Sequence, residues 1–533
     1  MFDAIIRGAQ VLDGSGSGFF AADIAIKDGR IAAIGEVDAQ AARVFDARGL
    51  VVAPGFIDMH SHSDMALFID PRSESKLTQG ITTEICGNCG FSAAPCLDAA
   101  GRSELESWRR AHDVEANWRS LAEVLSALDE REIGVNYATL VGHSNLRAAV
   151  VGLNDREASP AEIDRMKALA AGAMTEGAYG LSTGLIYPPS CYAGTSELIA
   201  LAAAIEPYGG VYVTHIRDEH DGIVEAVEEA IRVGRESGAG VHISHHKACG
   251  RTNWGRIRAT LSLIQESRRA GMDLTVDQYP YTAGCTSLGV VIPAWAHDGG
   301  PEALIGRVRD QRRALLAHLQ DIAEPDGWLA NDGGWKSVIV SGVRTDRNRN
   351  CEGKSIQQLA DERGREPGEV VLDLLAQERL SVSVITFAQC EDDIEAVMRS
   401  DIAMFGTDSS ARGTLDKGKP HPRAFGTYPR VLGRYVRERN VVGLAEAVRK
   451  MTSAPARKLG ITDRGLVKEG FWADIVVFDP ASVADTATYE HPHGISKGIR
   501  YVFVNGVLAC EDGQLTNALA GRVLRHRAWQ RRR

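Results

Sequence analysis

Residues 211–246 read VYVTHIRDEHDGIVEAVEEAIRVGRESGAGVHISHH, and this stretch decides the fold. It begins with the strand-like segment VYVTHIRDE, continues through the helix-like segment GIVEAVEEAIRVGRESG, and returns to a strand-like segment, GVHISHH. Alternation of short apolar strands with longer amphipathic helices is typical of parallel sheets, in which a helix connects one strand to the next. The stretch therefore predicts one strand–helix–strand unit of an α/β domain.

The same alternation extends through the middle of the chain, from about residue 55 to residue 460. NYATLVGH precedes the helical SPAEIDRMKALAAGAMTEG, and IRATLSLIQESRRAG precedes the strand-like DLTVDQYPY. The length of this alternating region suits a (β/α)8 barrel of the TIM type. Residues 286–350 interrupt the alternation with Trp- and Gly-rich text and a charged helix, and we interpret them as an insertion on a barrel loop.

Both ends of the chain instead have the alternation of small antiparallel sheets. Residues 2–53 and 473–515 contain short strands joined by Asp-Gly and Asn-Gly turns. The predicted fold class is therefore α/β, a TIM-like barrel with a small β-sandwich formed from both chain termini. We place the two parts of the sandwich at residues 1–54 and 465–533, and the barrel with its insertion at residues 55–464.

Composition and charge argue against several classes of function for this protein. A net charge of −10 argues against nucleic acid or an acidic membrane surface as the main partner. No apolar run reaches the length of about 18 residues needed to span a bilayer, and the N-terminus does not read as a signal peptide. The nine scattered cysteines indicate reduced thiols. These features predict a cytoplasmic enzyme acting on a small molecule, and they leave the oligomeric state open.

Polar residues follow several of the predicted barrel strands, where barrel enzymes carry their chemistry. His60 and His62 alternate on a strand and so share one face, where two imidazoles suit a zinc ion. Taken alone, this pair is weak evidence for a metal, and histidines hydrogen-bonded to loop backbone explain it better. Four further strand ends offer similar side chains: Cys86 and Cys89, His215, His245 and His246, and Asp408. The whole set favours a metal site at the barrel mouth.

Several motifs together resemble the N-acyl-D-amino-acid deacylases (D-aminoacylases) of the amidohydrolase superfamily. They are VVAPGFIDMHSHSD, GITTEICGNCGFS, THIRDEHDG, ISHHK, YPYTAG, GTDSS and KPHPRAFGTYPRVLG. The resemblance covers almost the whole chain and is weakest over residues 95–130 and 286–380. It implies zinc-dependent hydrolysis of the amide bond of N-acyl-D-amino acids, which releases a carboxylate and a free D-amino acid.

The resemblance also implies roles for the residues at the strand ends. Cys89, His215 and His245 correspond to the ligands of a tightly bound zinc ion, and His60, His62 and Asp408 to those of a second, weaker site. A metal lowers the pKa of a bound water and polarises the acyl carbonyl. We expect Asp408 to accept the proton of that water and to pass it to the leaving amine, as general base and then general acid.

Substrate recognition is expected at Arg423 and Tyr279, since the Arg of HPR and the first Tyr of YPY hold the amino-acid carboxylate in the family. The planar guanidinium of Arg423 can bind a carboxylate through two parallel hydrogen bonds. Tyr281 competes with Tyr279, because both lie on one face of a strand. Cys285 stands at a predicted substrate contact where the family has a small hydroxyl residue, so this contact departs from the family pattern.

The segment SSARGTLDKGKP, between Asp408 and His421, departs from the sequence pattern of the family. It contains three cationic residues, Arg412, Lys417 and Lys419, which we interpret as a solvated charged loop. The alternative left open is that they favour a substrate with an acidic side chain.

Two other functions are weighed against deacylation. A cyclic-amide hydrolase of the hydantoinase or dihydroorotase kind would bridge two metals with a carboxylated lysine, yet the matching stretch GAYGLSTGLIYPP contains no lysine. A non-catalytic binding protein of the same fold would have lost ligands, yet the complete set is present. Selectivity for D-amino acids rests on the resemblance alone.

Overall fold

The computed structural model describes residues 1–96, 114 and 116–532. The remaining residues, 97–113, 115 and 533, include part of the region of weakest resemblance and the end of the predicted sandwich, and they lie outside the described part. The strands, numbered in chain order, are β1 (Phe2–Val11), β2 (Phe20–Lys27), β3 (Arg30–Gly35), β4 (Ala41–Asp46), β5 (Val51–Pro54), β6 (Phe56–Asp58), β7 (Ile81–Cys86), β8 (Asn136–Thr139), β9 (Val141–Gly142), β10 (Gly180–Gly184), β11 (Val211–His215), β12 (Gly240–Ile243), β13 (Leu274–Gln278), β14 (Gly284–Ser287), β15 (Val338–Val343), β16 (Val382–Thr386), β17 (Ala403–Phe405), β18 (Ile475–Phe478), β19 (Ile499–Val504), β20 (Val507–Glu511) and β21 (Gln514–Leu515).

The helices lie mainly between the strands of the middle region. The α-helices span Ala66–Ile69, Glu74–Leu77, Leu121–Arg131, His143–Val150, Pro160–Glu176, Thr195–Ile205, Ile223–Ser237, Ile257–Arg269, Pro301–Asp310, Arg312–Asp321, Trp328–Asn331, Ile356–Arg363, Pro367–Gln377, Glu391–Arg399, Arg423–Arg430, Leu444–Met451 and Ser453–Leu459. A π-helix, Val431–Glu438, continues directly from the helix that begins at Arg423. Within the described ranges, none of the helices has the length and apolar character required to cross a bilayer.

Residues 211–246 fold as the sequence predicts. Strand β11 is followed by the helix Ile223–Ser237 and then by β12, which pairs with β11 in parallel. The helix buries the apolar residues of one face, among them Val227, against the barrel. It ends at Gly238, whose φ of 78° is a left-handed conformation that glycine adopts without steric cost.

Eight parallel strands close into a barrel. Strands β6, β7 and β8 form one parallel sheet, and β9 to β13 together with β17 form another. Only Leu140 separates β8 from β9, so these two segments act as one strand that joins the sheets. At the opposite seam the backbone N–H of Asp408 donates to the carbonyl of His60 at 2.8 Å, and Ser61 bridges Ser409. The predicted TIM-like barrel is confirmed.

Both ends of the chain contribute to a single nine-stranded sheet. Its order is β21-β20-β19-β18-β5-β1-β2-β3, with β4 paired to β1. Phe45 on β4 lies 5.2 Å from the ring of Tyr501 and 5.0 Å from that of Phe503, both on β19. Strands distant in the sheet order therefore face one another across an apolar core, as a sandwich requires. The division of the chain at residues 54 and 464 stays a prediction.

The chain segment between β13 and β17 forms a further layer. Strands β14, β16 and β15 form a three-stranded antiparallel sheet, which packs with the helices of residues 301–377 around an apolar core of its own. This layer stands beside the barrel mouth, because β14 follows the end of β13 after five residues.

Candidate metal centre

The sulfur of Cys89 lies among three imidazole rings at the barrel mouth. Its distances are 3.3 Å to His60 Nε2, 3.5 Å to His245 Nε2 and 3.7 Å to His215 Nδ1. Cys89 follows β7, and the three histidines stand at the ends of β6, β12 and β11. One sulfur with several imidazole nitrogens in a buried site is the donor set that zinc prefers.

The surroundings of Cys89 favour its thiolate form. Burial alone would raise the pKa of the thiol, but the charge of His60 and hydrogen bonds from His215 and His245 hold that pKa well below its ordinary value. The thiolate is the form of cysteine that binds metals.

A second group of donors shares His60 with the first. Asp408 Oδ1 lies 3.0 Å from His62 Nε2 and 3.6 Å from His60 Nε2. A third group consists of His215, Glu219 and His245, whose ligand atoms also lie close enough to hold one ion. The structure thus brings together all six predicted ligands and adds Glu219, which sequence reasoning does not single out although it follows His215 by four residues.

Three of these side chains project from strained backbone. The φ angles are +52° at Cys89, +34° at His245 and +48° at Asp408, in the left-handed region that residues with a Cβ rarely adopt. Each stands just beyond the end of its strand, where the chain turns away from the barrel. Such conformations cluster at functional sites because the surrounding structure must enforce them.

A buried carboxylate beneath the site orients two of the histidines. Asp277 Oδ2 lies 3.2 Å from His60 Nδ1 and 2.9 Å from His242 Nε2, and Oδ1 accepts the backbone N–H of His245 at 2.8 Å. Burial would raise the pKa of Asp277, but the charge of His60 and the hydrogen bonds from His242 and His60 hold it below its usual range. Contact with Asp277 leaves His60 Nε2 facing Cys89.

The sequence does carry a signal for Asp277, because it lies two residues before Tyr279 and alternation places both side chains on one face. A comparable contact fixes His245. Its Nδ1 lies 3.0 Å from Glu219 Oε1, and Lys247 Nζ donates to the same oxygen at 2.5 Å. Carboxylates in this position set the tautomer and ring orientation of a metal-binding histidine.

A fully buried lysine supports the two loops that carry His62 and Asp408. Lys76 Nζ donates to Asp58 Oδ2 at 2.7 Å, to Thr407 Oγ1 at 2.8 Å and to the carbonyl of Ser409 at 2.8 Å. These contacts tie the loop after β17 to the end of β6.

The residues expected to bind substrate lie on the other side of Asp408. Arg423 Nη1 is 2.8 Å from Asp408 Oδ2, its Nη2 donates to the carbonyl of Cys285 at 3.3 Å, and its guanidinium carbon lies 4.6 Å from the centre of the Tyr279 ring. Tyr281 lies apart from this group, with Arg430 over its ring at 4.7 Å. The geometry therefore favours Tyr279 over Tyr281 as the partner of Arg423.

A cavity of about 560 Å³ opens beside His62, Asp408 and Arg423. Strands β14, β15 and β16 provide one wall, and the loop after β17 provides the other. Cys285 lines this cavity, and its sulfur lies 3.9 Å from Ser341 Oγ. A volume of this size suits a small organic ligand.

Two candidates from the sequence lie away from the sulfur–imidazole group. Cys86 is buried in the apolar core on the outer side of the barrel, where burial raises the pKa of its thiol. His246 packs toward the helix Ile257–Arg269, with Nε2 at 2.9 Å from Thr260 Oγ1. Burial lowers the pKa of His246 to about 4, which makes it a neutral residue of the core.

Comparisons with known proteins agree with this geometry. Residues 43–509 match the model of the amidohydrolase family. The chain is 39% identical to D-aminoacylase of Alcaligenes xylosoxydans xylosoxydans, over 98% of this chain and 97% of that protein. It is 36% identical to N-acyl-D-glutamate deacylase of the same organism, over 99% and 97%.

A solved structure is similar over the same extent. N-acyl-D-glutamate deacylase from Bordetella bronchiseptica, complexed with zinc and a phosphonate inhibitor that mimics the tetrahedral intermediate, superposes with a TM-score of 0.82 at 35% identity. The match covers 98% of this chain and 99% of that one. With its barrel, its strand-end ligand set and these relatives, the chain belongs to the amidohydrolase family, in the group of D-aminoacylases and related N-acyl-D-amino-acid deacylases.

Proposed function

We propose that this protein is a zinc-dependent deacylase that hydrolyses the amide bond of N-acyl-D-amino acids to a carboxylate and a free D-amino acid. The observation that carries the proposal is the sulfur of Cys89 among three imidazoles, next to the Asp408–Arg423 pair and an open cavity. The D-aminoacylase and the N-acyl-D-glutamate deacylase of Alcaligenes xylosoxydans xylosoxydans act on such substrates, as their names state.

The zinc ion is assigned to the donors around Cys89. Cys89, His215 and His245 would hold it tightly, and His60, His62 and Asp408 would form the weaker second site. A bound zinc ion supplies a Lewis acid for the acyl carbonyl and lowers the pKa of nearby water. Asp277 and Glu219 keep the imidazole nitrogens of His60 and His245 directed at the site.

Asp408 is assigned the proton transfers. It is the carboxylate that faces both the ligand group and the cavity, so it can accept a proton from the attacking water. An amide nitrogen leaves readily only when it is protonated, and the same carboxyl then donates that proton to the amine. Arg423 keeps Asp408 ionised in the free protein, because burial would raise the pKa of the carboxyl and the guanidinium charge lowers it well below its ordinary value.

The α-carboxylate of the substrate is assigned to Arg423, with Tyr279 beneath it. Arg423 reaches the cavity wall and lies within contact distance of Asp408, so a carboxylate held there places the scissile nitrogen near the proton donor. Lys247, at 5.9 Å from the centre of the Tyr279 ring, adds a second positive charge on this side.

The proposal is tested by loading the purified protein with zinc and assaying paired N-acetyl-D- and N-acetyl-L-amino acids for release of free amine. We expect about one tightly bound zinc per chain and turnover of the D-substrates alone. Absence of zinc after loading would overturn the metal assignment. Turnover of cyclic amides instead of linear ones would overturn the reaction class.

A further prediction concerns the α-carboxylate. Blocking this group as a primary amide removes the charge-assisted hydrogen bonds to Arg423, so kcat/KM of the wild-type enzyme is expected to fall about 10- to 100-fold. The variant Arg423→Gln should lose a similar factor on the free acid and should hardly distinguish the acid from the amide. Equal rates for acid and amide with the wild-type enzyme would show that Arg423 does not bind the carboxylate.

A further inference from the structure

The cavity beside Asp408 is strongly cationic. The residues that line it include five positively charged side chains, Arg344, Arg349, Arg412, Lys417 and Arg423, and two carboxylates, Glu352 and Asp408. The remaining lining includes the serines at positions 287, 341, 381, 383, 409 and 410, with few apolar side chains. A wall of this composition is unsuited to a hydrophobic ligand.

Both carboxylates of the cavity already have cationic partners. Glu352 Oε1 lies 3.1 Å from Arg349 Nη1, and Asp408 Oδ2 lies 2.8 Å from Arg423 Nη1. In the part of the chain that the structure describes, the other three cations, Arg344, Arg412 and Lys417, have no carboxylate within ion-pairing distance. The cavity thus has positive charge that the protein itself does not neutralise.

The backbone of Arg412 is anchored at Ser75. Its backbone N–H donates to Ser75 Oγ at 3.0 Å, and its carbonyl accepts the backbone N–H of Ser75 at 2.9 Å. Its side chain is half-buried, and the buried Nε has no hydrogen-bond partner among the described residues. Arg412 nevertheless lines the cavity, where an incoming carboxylate can form charge-assisted hydrogen bonds with its guanidinium.

The position of the cavity determines which part of a substrate enters it. The proton donor Asp408 must stand next to the leaving nitrogen, and Arg423 next to the α-carboxylate, so the amino-acid half of the substrate lies on this side of the site. The acyl half then extends toward Cys89 and His215, where Tyr187 and Phe91 lie. The cavity therefore receives the side chain of the amino acid.

We infer that this protein is selective for N-acyl-D-amino acids with an acidic side chain, and that Arg412, assisted by Arg344 and Lys417, binds the side-chain carboxylate. This inference rests on the proposed function and specifies its substrate class. It takes up the alternative for residues 409–420, an acidic substrate side chain, since Arg412 and the exposed Lys417 line the cavity. Lys419 does not, and lies instead beside Gly353.

The test compares isosteric substrates with the zinc-loaded, full-length enzyme. N-acetyl-D-glutamate and N-acetyl-D-glutamine differ only in the charge of the side chain, so a preference for the acid measures recognition of that charge. We expect kcat/KM to favour the glutamate by about 10- to 100-fold. Equal or better turnover of glutamine, or of N-acetyl-D-leucine, would overturn the inference.

Variants then locate the contact. Arg412→Gln is expected to lower kcat/KM for N-acetyl-D-glutamate about tenfold or more and to leave that for N-acetyl-D-glutamine within about twofold. Lys419→Gln removes the same charge from the same loop outside the cavity and should leave the preference intact. An unchanged preference in Arg412→Gln and in Arg344→Gln would overturn the assignment.

Failure of the inference and failure of the proposed function give different results. Hydrolysis of neutral but not acidic N-acyl-D-amino acids would defeat the inference and leave deacylation standing. Absence of turnover with every N-acyl-D-amino acid would defeat both.

Discussion

Asp408→Asn is expected to lower kcat by about 10²- to 10⁴-fold while the tightly bound zinc stays in place. Asparagine keeps the shape of the side chain but cannot accept the proton of the attacking water. It also cannot return that proton to the amine, so both halves of the reaction lose their proton carrier. Zinc is expected to remain because the ligands proposed for the tight site, Cys89, His215 and His245, are untouched.

The measurement is steady-state kinetics beside metal analysis of the same dialysed preparation. Asp401→Asn is a suitable control, because it makes the same substitution at an exposed position just before β17. Asp408→Asn also leaves Arg423 without its carboxylate partner, and a change in KM reports that effect separately from kcat. A variant with near-wild-type kcat would rule out Asp408 as the group that transfers protons.

The barrel and most of the ligand set could be predicted from sequence for one physical reason. Parallel strands of a barrel all end at the same mouth, so polar residues that follow separate strands converge there without any knowledge of their distances. His60, Cys89, His215 and Asp408 satisfy that condition, although up to 348 residues separate them in the chain.

The contacts that orient the histidines depend on how distant segments pack together. They could not be predicted from the sequence in the same way. Glu219 is an ordinary acidic residue in the sequence, and only its distance of 3.0 Å to His245 reveals a role. Alternation places Asp277 on the same face as Tyr279, but its contact with His60 at 3.2 Å is visible only in the structure. The left-handed backbone conformation at Cys89 could not be predicted from the sequence either, because cysteine is not a residue type that favours it.

The charge of the cavity beside Asp408 was the least predictable feature. Four of its five cations come from the segment after β15, at Arg344 and Arg349, and from the loop after β17, at Arg412 and Lys417. A run of charged residues in a sequence is more often a solvated loop, which is how the sequence analysis interprets Arg412, Lys417 and Lys419. Only the packing of these two segments around one volume brings the separate charges together in the wall of one cavity.

Cys89→Ala is expected to abolish tight zinc binding and, with it, nearly all turnover. Loss of a residue that merely orients a ligand lowers metal affinity about 10- to 100-fold. Removal of the thiolate ligand itself should therefore cost at least about 100-fold. Alanine keeps the Cβ atom, so the backbone strain at φ +52° is the same in both proteins and the comparison isolates the sulfur.

Zinc content after dialysis and a zinc titration of the apoprotein measure the effect of Cys89→Ala, with circular dichroism to verify the fold. Cys86→Ala is the matched control, because it removes a buried sulfur three residues away that lies in the apolar core. The control should keep its zinc and its activity. Zinc retained at one equivalent in Cys89→Ala would instead place the tight ion at His60, His62 and Asp408, and the weaker set of donors would have to be regarded as the catalytic one.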